Sequence, residues 1–473
     1  MVCAPEVAAP VLNAHTESCM RSGVVALSLV GGLILLPHSS AAAQAQGSLR
    51  SKISQLFIFG GSDEPLFLGG SADPNNPASI QAHGDHFVPS AVAENGSLIG
   101  FITSAISTSI GNVPIATTSG GVTFRFEGGI PVKTSLSSGP IFAERAQTLG
   151  RGRAAVGVDH TTFQFSSLRG VPMDNLSLIF THENVNFPGC SAQYGDDCAK
   201  MGVPTLENEI MPFQLNLSLN VAVTTLYATV GVFDHLDLGV VVPMVRTSLH
   251  GESNAQIIPF GPPPAVHFFG GTPDNPVLSA SRTVDGSAFG LGDVAVRMKL
   301  GLKESENSGI ALLGEARFGT GSPDDLTGSG VFSARALAII SGRLDTFSPH
   351  LNLGYNYHAR NSQHVWNDAV LATAGFDQLV SDRVTLAGDI ISELQVGQSQ
   401  LKLPGPVVYD APYHRVIDPT TIPNIRDDMF NGSFGGRFAL WPGWMMVANA
   451  LFPLNRGGMR SDLVFTTGLE LTF

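Results

Sequence analysis

The last twelve residues, Asp462-Leu-Val-Phe-Thr-Thr-Gly-Leu-Glu-Leu-Thr-Phe473, constrain this chain more than any other segment. Leu463, Phe465, Leu469, Leu471 and Phe473 fall on one face of an extended strand, and Thr466, Gly468, Glu470 and Thr472 on the other. The segment stops on an aromatic residue, with no polar tail to cover an apolar edge. One face suited to lipid and one suited to a polar lumen describe a stave of a transmembrane barrel. Leu469, Leu471 and Phe473 are then expected to form the signal read by the machinery that assembles such barrels.

The rest of the sequence repeats this two-residue period. Phe213, Leu215, Leu217, Leu219 and Val221 alternate with Gln214, Asn216, Ser218 and Asn220; Val294 to Leu302 alternate with Asp293, Ala295, Arg297, Lys299 and Gly301. Similar runs occur near 347–361, 383–398 and 429–441. Strands are expected near 153–168, 210–232, 235–248, 287–303, 309–320, 330–342, 347–361, 367–380, 383–398, 429–441, 444–455 and 462–473. That makes twelve, or fourteen if Leu176–Phe180 belongs to a further hairpin. Short connections such as Phe233–Asp237, Gly342–Asp345, Val380–Arg383 and Trp441–Trp444 alternate with long ones near 169–209, 249–286 and 399–429. Short periplasmic turns and long outer loops are the habit of an all-β, antiparallel, up-and-down transmembrane barrel. A soluble sandwich or propeller needs polar outer faces, which the continuous apolar faces here do not supply.

The amino-terminal segment fits export. Arg21, the apolar run Val24–Leu36 and the small residues Ala41–Ala45 have the order of a secretory signal peptide over residues 1–45, with Met20 an alternative start. The run is too short and too interrupted by Gly31, Gly32 and Pro37 for a spanning helix. Of four cysteines, Cys190 and Cys198 remain after cleavage; an oxidising compartment favours a disulfide between them, two free thiols being the alternative. The net charge of −13 argues against a nucleic-acid partner, while outer-membrane lipid and a small-molecule solute are the expected ones.

Residues 46–150 read differently from the barrel at 151–473. Leu98, Phe101, Ile102, Ala105 and Ile106 have helical spacing, and Pro140–Thr148 suggests a second short helix. The segment is read as a partly helical plug inside the lumen, a periplasmic tail being the alternative. Glu144 and Arg145, at its junction with the barrel, are candidates to latch it to lumen charges.

Two stretches resemble a known family: Ser138-Gly-Pro-Ile-Phe-Ala-Glu-Arg-Ala-Gln-Thr-Leu-Gly-Arg-Gly-Arg153, and Thr229-Val-Gly-Val-Phe-Asp-His-Leu-Asp-Leu-Gly-Val-Val-Val-Pro243. They are similar to outer-membrane transporters assigned to the meta-cleavage pathway of phenol degradation, and distantly to the long-chain fatty-acid channel, whose amino-terminal segment plugs its barrel. The resemblance implies a bacterial outer-membrane channel for passive uptake of small apolar or aromatic solutes. The alternative is a structural or adhesive barrel acting through its outer loops.

The alternation directs Arg297, Lys299, Glu315, Arg317, Arg335, Asp389, Glu393, Arg437 and Glu470 into the lumen. Two readings follow: opposed basic and acidic rows that orient a passing solute, or locally paired charges that satisfy a polar interior. Tyr355, Tyr357, Trp366, Trp441 and Trp444 are placed at the lipid interfaces, and the apolar loop Ile257–Gly270 at the mouth. No enzyme motif or cofactor site is evident: His83 and His86 lack further metal ligands, and His160, read as outward, lacks a serine partner.

Overall fold

The computed structural model describes residues 47–59, 69–70, 124–127, 130–133, 138–181, 210–259, 267–272, 274–305, 307–360, 367–401, 403, 406–409 and 414–473. The signal peptide, the helix expected near 98–106, His83, His86, Cys190, Cys198 and Trp366 lie outside the described residues. Ser48–Phe473 forms one compact unit.

Twelve antiparallel strands close into a barrel: β1 (Ala154–Phe165), β2 (Ile210–Phe233), β3 (Leu236–Gln256), β4 (Ala295–Glu304), β5 (Ser308–Arg317), β6 (Ser333–Gly342), β7 (Phe347–His358), β8 (Ala369–Ser381), β9 (Val384–Gln395), β10 (Met429–Trp441), β11 (Trp444–Pro453) and β12 (Val464–Thr472). Each pairs with its sequence neighbours, and β12 returns to β1 with Leu469 opposite Val158. The seam is finished by reciprocal 2.9 Å backbone bonds between Ala154 and Phe473. Closure leaves no stave with an open edge, as the membrane requires.

Leu176–Thr181 pairs with the outer end of β2, and Ser279–Leu291 with the outer half of β3. The latter continues β4 along β3 across a break at residues 292–294. Both lie beside the barrel, so the count is twelve, and the Leu176–Phe180 segment expected as part of a further hairpin is a flanking strand. The short connections all fall at the end where Ala154 and Phe473 meet. At the β10–β11 turn, Pro442 fixes the first central position and Gly443 supplies φ +80° at the second, a type II arrangement.

The outer face of the wall changes character partway up, and on β2 the inner face changes with it. In the lower part of β3 the outward residues are Leu238, Val240, Val242 and Met244; two residues on, they become Arg246, Ser248, His250, Glu252 and Asn254. Strand β2 switches at the same register, from Val232, Val230, Ala228 and Leu226 to Asn220, Ser218, Asn216 and Gln214. Above that level Phe213, Leu215, Leu217, Leu219, Val221 and Leu249 point inward and are buried. The apolar row of outer β2 therefore faces the interior, where a lipid-facing stave would turn it outward. The cause is solvent: these strands extend beyond the bilayer, so water wets their outside and the core must form within. From Thr224 to Val232, at about 3.3 Å per residue and a ~40° tilt, the lower section is roughly 20 Å tall, close to the ~25 Å apolar band of such barrels.

Two inner segments complete the unit. Helix α1 (Leu49–Gln55) starts at Ser48, whose Oγ accepts from the Ser51 amide at 3.1 Å, and buries Leu49 and Ile53. Residues 138–150 form no helix, in contrast to the expectation for Pro140–Thr148. Their amides are bonded to barrel side chains instead of to carbonyls four residues back: Ser138 to Thr385, Glu144 to Asn352, Ala146 to Ser341 and Leu149 to Asp237. Tertiary partners thus hold this segment open as a bent strap.

Candidate functional site

At the outer end the interior is an apolar chamber. Phe57 stacks on Phe213 at 4.8 Å between centroids, and Phe59 and Phe180 meet the same ring edge-on at 6.0 and 5.8 Å. Leu49, Ile53 and Leu56 pack among Leu215, Leu217, Leu249 and Val284, and Ser253 donates to the Leu56 carbonyl at 2.6 Å. From the loop expected at the mouth, Ile257 is buried here and Phe269 packs against Phe59 at 5.4 Å between centroids. Residues 47–59, for which a periplasmic tail was one expectation, therefore fill the outer chamber.

Below it lies a charged layer. Arg297 Nε and Arg317 Nη2 donate to the two oxygens of Glu315 at 2.6 and 2.8 Å. Lys299 Nζ reaches Glu144 at 3.2 Å and Arg297 Nη1 reaches it at 3.5 Å. Arg335 faces the same region, with Glu315, Arg317, Arg297 and Glu393 as its charged neighbours. On the other side Arg437 meets Glu470 at 3.3 Å and donates to the Pro140 carbonyl at 2.9 Å, while Tyr227 donates to Glu470 at 3.3 Å. His350 lies 2.6 Å from Asp389 and 3.8 Å from Asp377. All nine lumen residues singled out in the sequence are turned inward. Arg297, Lys299, Glu315, Arg317, Asp389, Arg437 and Glu470 have partners at contact distance, a geometry of local pairs, while Arg335 forms no salt bridge among the described residues.

The strap 138–150 crosses the interior at the short-turn end. Arg145 forms a two-pronged ion pair with Asp377 on β8, and both side chains are buried. Glu144 is held from three sides by Lys299, Arg297 and Asn352, whose amide nitrogen also donates to the Glu144 carbonyl at 2.9 Å. Thr148 donates to the Asp234 carbonyl in the β2–β3 turn. The exit requires glycine at position 231, where a Cβ would collide with the Gly150 carbonyl.

Other partners escaped the sequence reading. Asp377, His350, Asn352 and Ser341 all sit on inward positions, but alternation alone does not say which of many inward polar groups meets the strap. At the outer rim the fully buried Arg169 is gripped by Asp427 at 2.7 and 2.9 Å and by Ser399 and the Pro423 carbonyl, tying two long connections together. Beside it the Arg426 guanidinium, 2.9 Å from Asp428, holds that carboxyl below the usual carboxylate range.

The exterior is banded. Val296, Met298, Ile310, Leu312, Leu353, Ile390 and Phe434 are exposed along the middle, with Trp441, Trp444, Phe233 and Phe473 at the short-turn rim and Phe289, Phe318, Phe332 and Tyr357 at the other. Tyr355 is exposed as well, its hydroxyl 2.7 Å from Asp368. His160 faces outward, 3.0 Å from Thr224 at the level where the faces exchange. Among the described residues no helix is long and apolar enough to cross a membrane; the strands do so. Nor, among the described residues, does any group of three or more His, Cys, Asp or Glu stand ready for a metal ion.

A closed antiparallel barrel with an apolar belt, aromatic rims and a charged interior defines a bacterial outer-membrane β-barrel protein. The sequence model of the family described as "Putative MetA-pathway of phenol degradation" matches residues 211–383, from β2 to the β8–β9 turn. The resemblance noted at Thr229–Pro243 lies within this match; that at Ser138–Arg153 lies before it. No curated protein matches the chain in sequence. Among solved structures, an outer-membrane channel from Pseudomonas putida F1 is 10% identical, with a TM-score of 0.39, covering 70% of this chain and 99% of its own. The Pseudomonas putida toluene transporter TodX is 11% identical over 76% of this chain and 98% of its own, TM-score 0.30. A Pseudomonas aeruginosa FadL homologue is 12% identical over 68% and 88%, TM-score 0.29. Scores this low carry no argument, and the architecture rests on the strand pairing of this chain.

Proposed function

We propose that this protein is an outer-membrane channel for passive uptake of small apolar or aromatic solutes, gated by its amino-terminal segment. The observation that carries the reading is the strap. A barrel built only as a scaffold has no need of a polypeptide drawn across its interior and bonded to β3, β4, β6, β7, β8, β9 and β10. Above it, an interior lined with Phe, Leu and Val suits an apolar guest, and the phenol-degradation description of the matching family points to the same solute class. Glu144 and Arg145 act as the latch, Cys190 and Cys198 brace an outer loop as a disulfide, and Leu469, Leu471 and Phe473 serve recognition by the assembly machinery.

The test is solute entry into liposomes carrying the refolded protein, comparing toluene and phenol with glucose, for wild type and for the double variant Glu144→Gln, Arg145→Gln. Aromatic solutes should enter faster than glucose, and the double variant should admit both faster. Exclusion of every solute by both proteins would make the lumen a sealed core and the protein a binding or structural barrel acting through its outer loops.

A further inference from the structure

Between the aromatic chamber and the strap, three guanidinium groups surround one carboxylate. Arg297 and Arg335 are the direct cross-strand neighbours of Glu315, and Arg317 lies two residues along the same strand face. Both oxygens of Glu315 are taken, one by Arg297 and one by Arg317. Arg335 is left over. Among the described residues it forms no salt bridge, and its buried Nε has no hydrogen-bond partner. Glu393, three staves along on β9, is the most weakly felt of its charged neighbours. With Lys299 included, four cations in this part of the interior face Glu144, Glu315, Glu393 and Asp237, the last directly across from Lys299, and Arg335 is the cation without a salt bridge.

An uncompensated guanidinium in a barrel interior is costly, and a carboxylate is the group whose two oxygens match its planar fork. Asn356, directly across from Arg335 on β7, lies on the same inward face with its amide nitrogen 3.4 Å from His358 Nε2, leaving one amide hydrogen for a ligand. The apolar chamber begins above. The geometry points to a subsite at Arg335 for the carboxylate of a small amphiphilic monoacid. This deepens the channel reading by naming a substrate class, and its transport aspect rests on that reading.

The probe pair is benzoate, ionised at neutral pH, and its uncharged analogue benzamide. Binding to the detergent-purified full chain is measured by calorimetry, and entry into liposomes by flux. Wild type should bind benzoate about tenfold more tightly than benzamide, the scale of one charge-assisted contact. Arg335→Gln should abolish that preference while leaving benzamide binding unchanged, and Arg335→Lys should restore part of it. Equal binding of the two probes by wild type, or an undiminished benzoate preference in Arg335→Gln, overturns the subsite. Should Arg335→Gln fail to fold, the wild-type ratio and the Lys variant still decide. Benzoate binding without flux of either probe upholds the subsite and refutes the channel; flux of both without discrimination does the reverse.

Discussion

Arg145 and Asp377 condense the energetics of the interior into one contact. Each is almost fully out of water, so each depends on the other to offset desolvation. Arg145→Ala removes the two-pronged guanidinium from Asp377 and should cost about 3–5 kcal/mol, read from urea unfolding in lipid vesicles. Replacing Asp377 as well by Asn should recover part of that loss, and a double-mutant cycle gives the coupling. The direction of such side chains was legible beforehand: parity along β4, β5, β9, β10 and β12 turned Arg297, Glu315, Asp389, Arg437 and Glu470 inward. Their partners were not, because Glu144 meets Lys299 across 155 positions of sequence through a strap whose course no local pattern encodes.

At the scale of the element, β2 carries two opposite designs in 24 residues. Met298 on β4 lies on the lipid-facing belt, whereas Ser248 lies outward above it. Met298→Arg should therefore cost about 2–4 kcal/mol, and Ser248→Arg about 0–1 kcal/mol, both measured as vesicle-unfolding free energies. Turn chemistry and alternation gave the strand boundaries of β2, β7 and β10 closely. The exchange of faces in outer β2 stayed hidden, since a row of Phe and Leu alternating with Gln and Asn looks the same whether lipid or water lies outside. Helix α1 has Leu49, Ile53 and Leu56 at helical spacing after a capping serine, but seven residues are too few to stand out without the wall they pack on.

For the whole molecule, the order from outside inward is apolar chamber, charged layer, strap. The chamber is held by packing and the lower barrel by its closed ladder, so the two should differ in resistance to loosening. Phe213→Ala, which removes the ring that Phe57, Phe59 and Phe180 share, should cost about 3–5 kcal/mol. Amide hydrogen exchange should then quicken in residues 210–222 and 246–256 while β5 to β9 keep their protection. The shift between Met244 and Arg246 has a consequence for how this sequence tolerates change over time. Below that level on β2, drift among Leu, Val, Ile and Met is permitted on the outer positions, and the polar groups of Thr225, Tyr227 and Thr229 are held on the inner ones. Above it, the permissive and the guarded positions trade places. A saturation scan along β2, scored for surface display, should show its phase reverse once, marking the height of the outer leaflet from sequence tolerance alone.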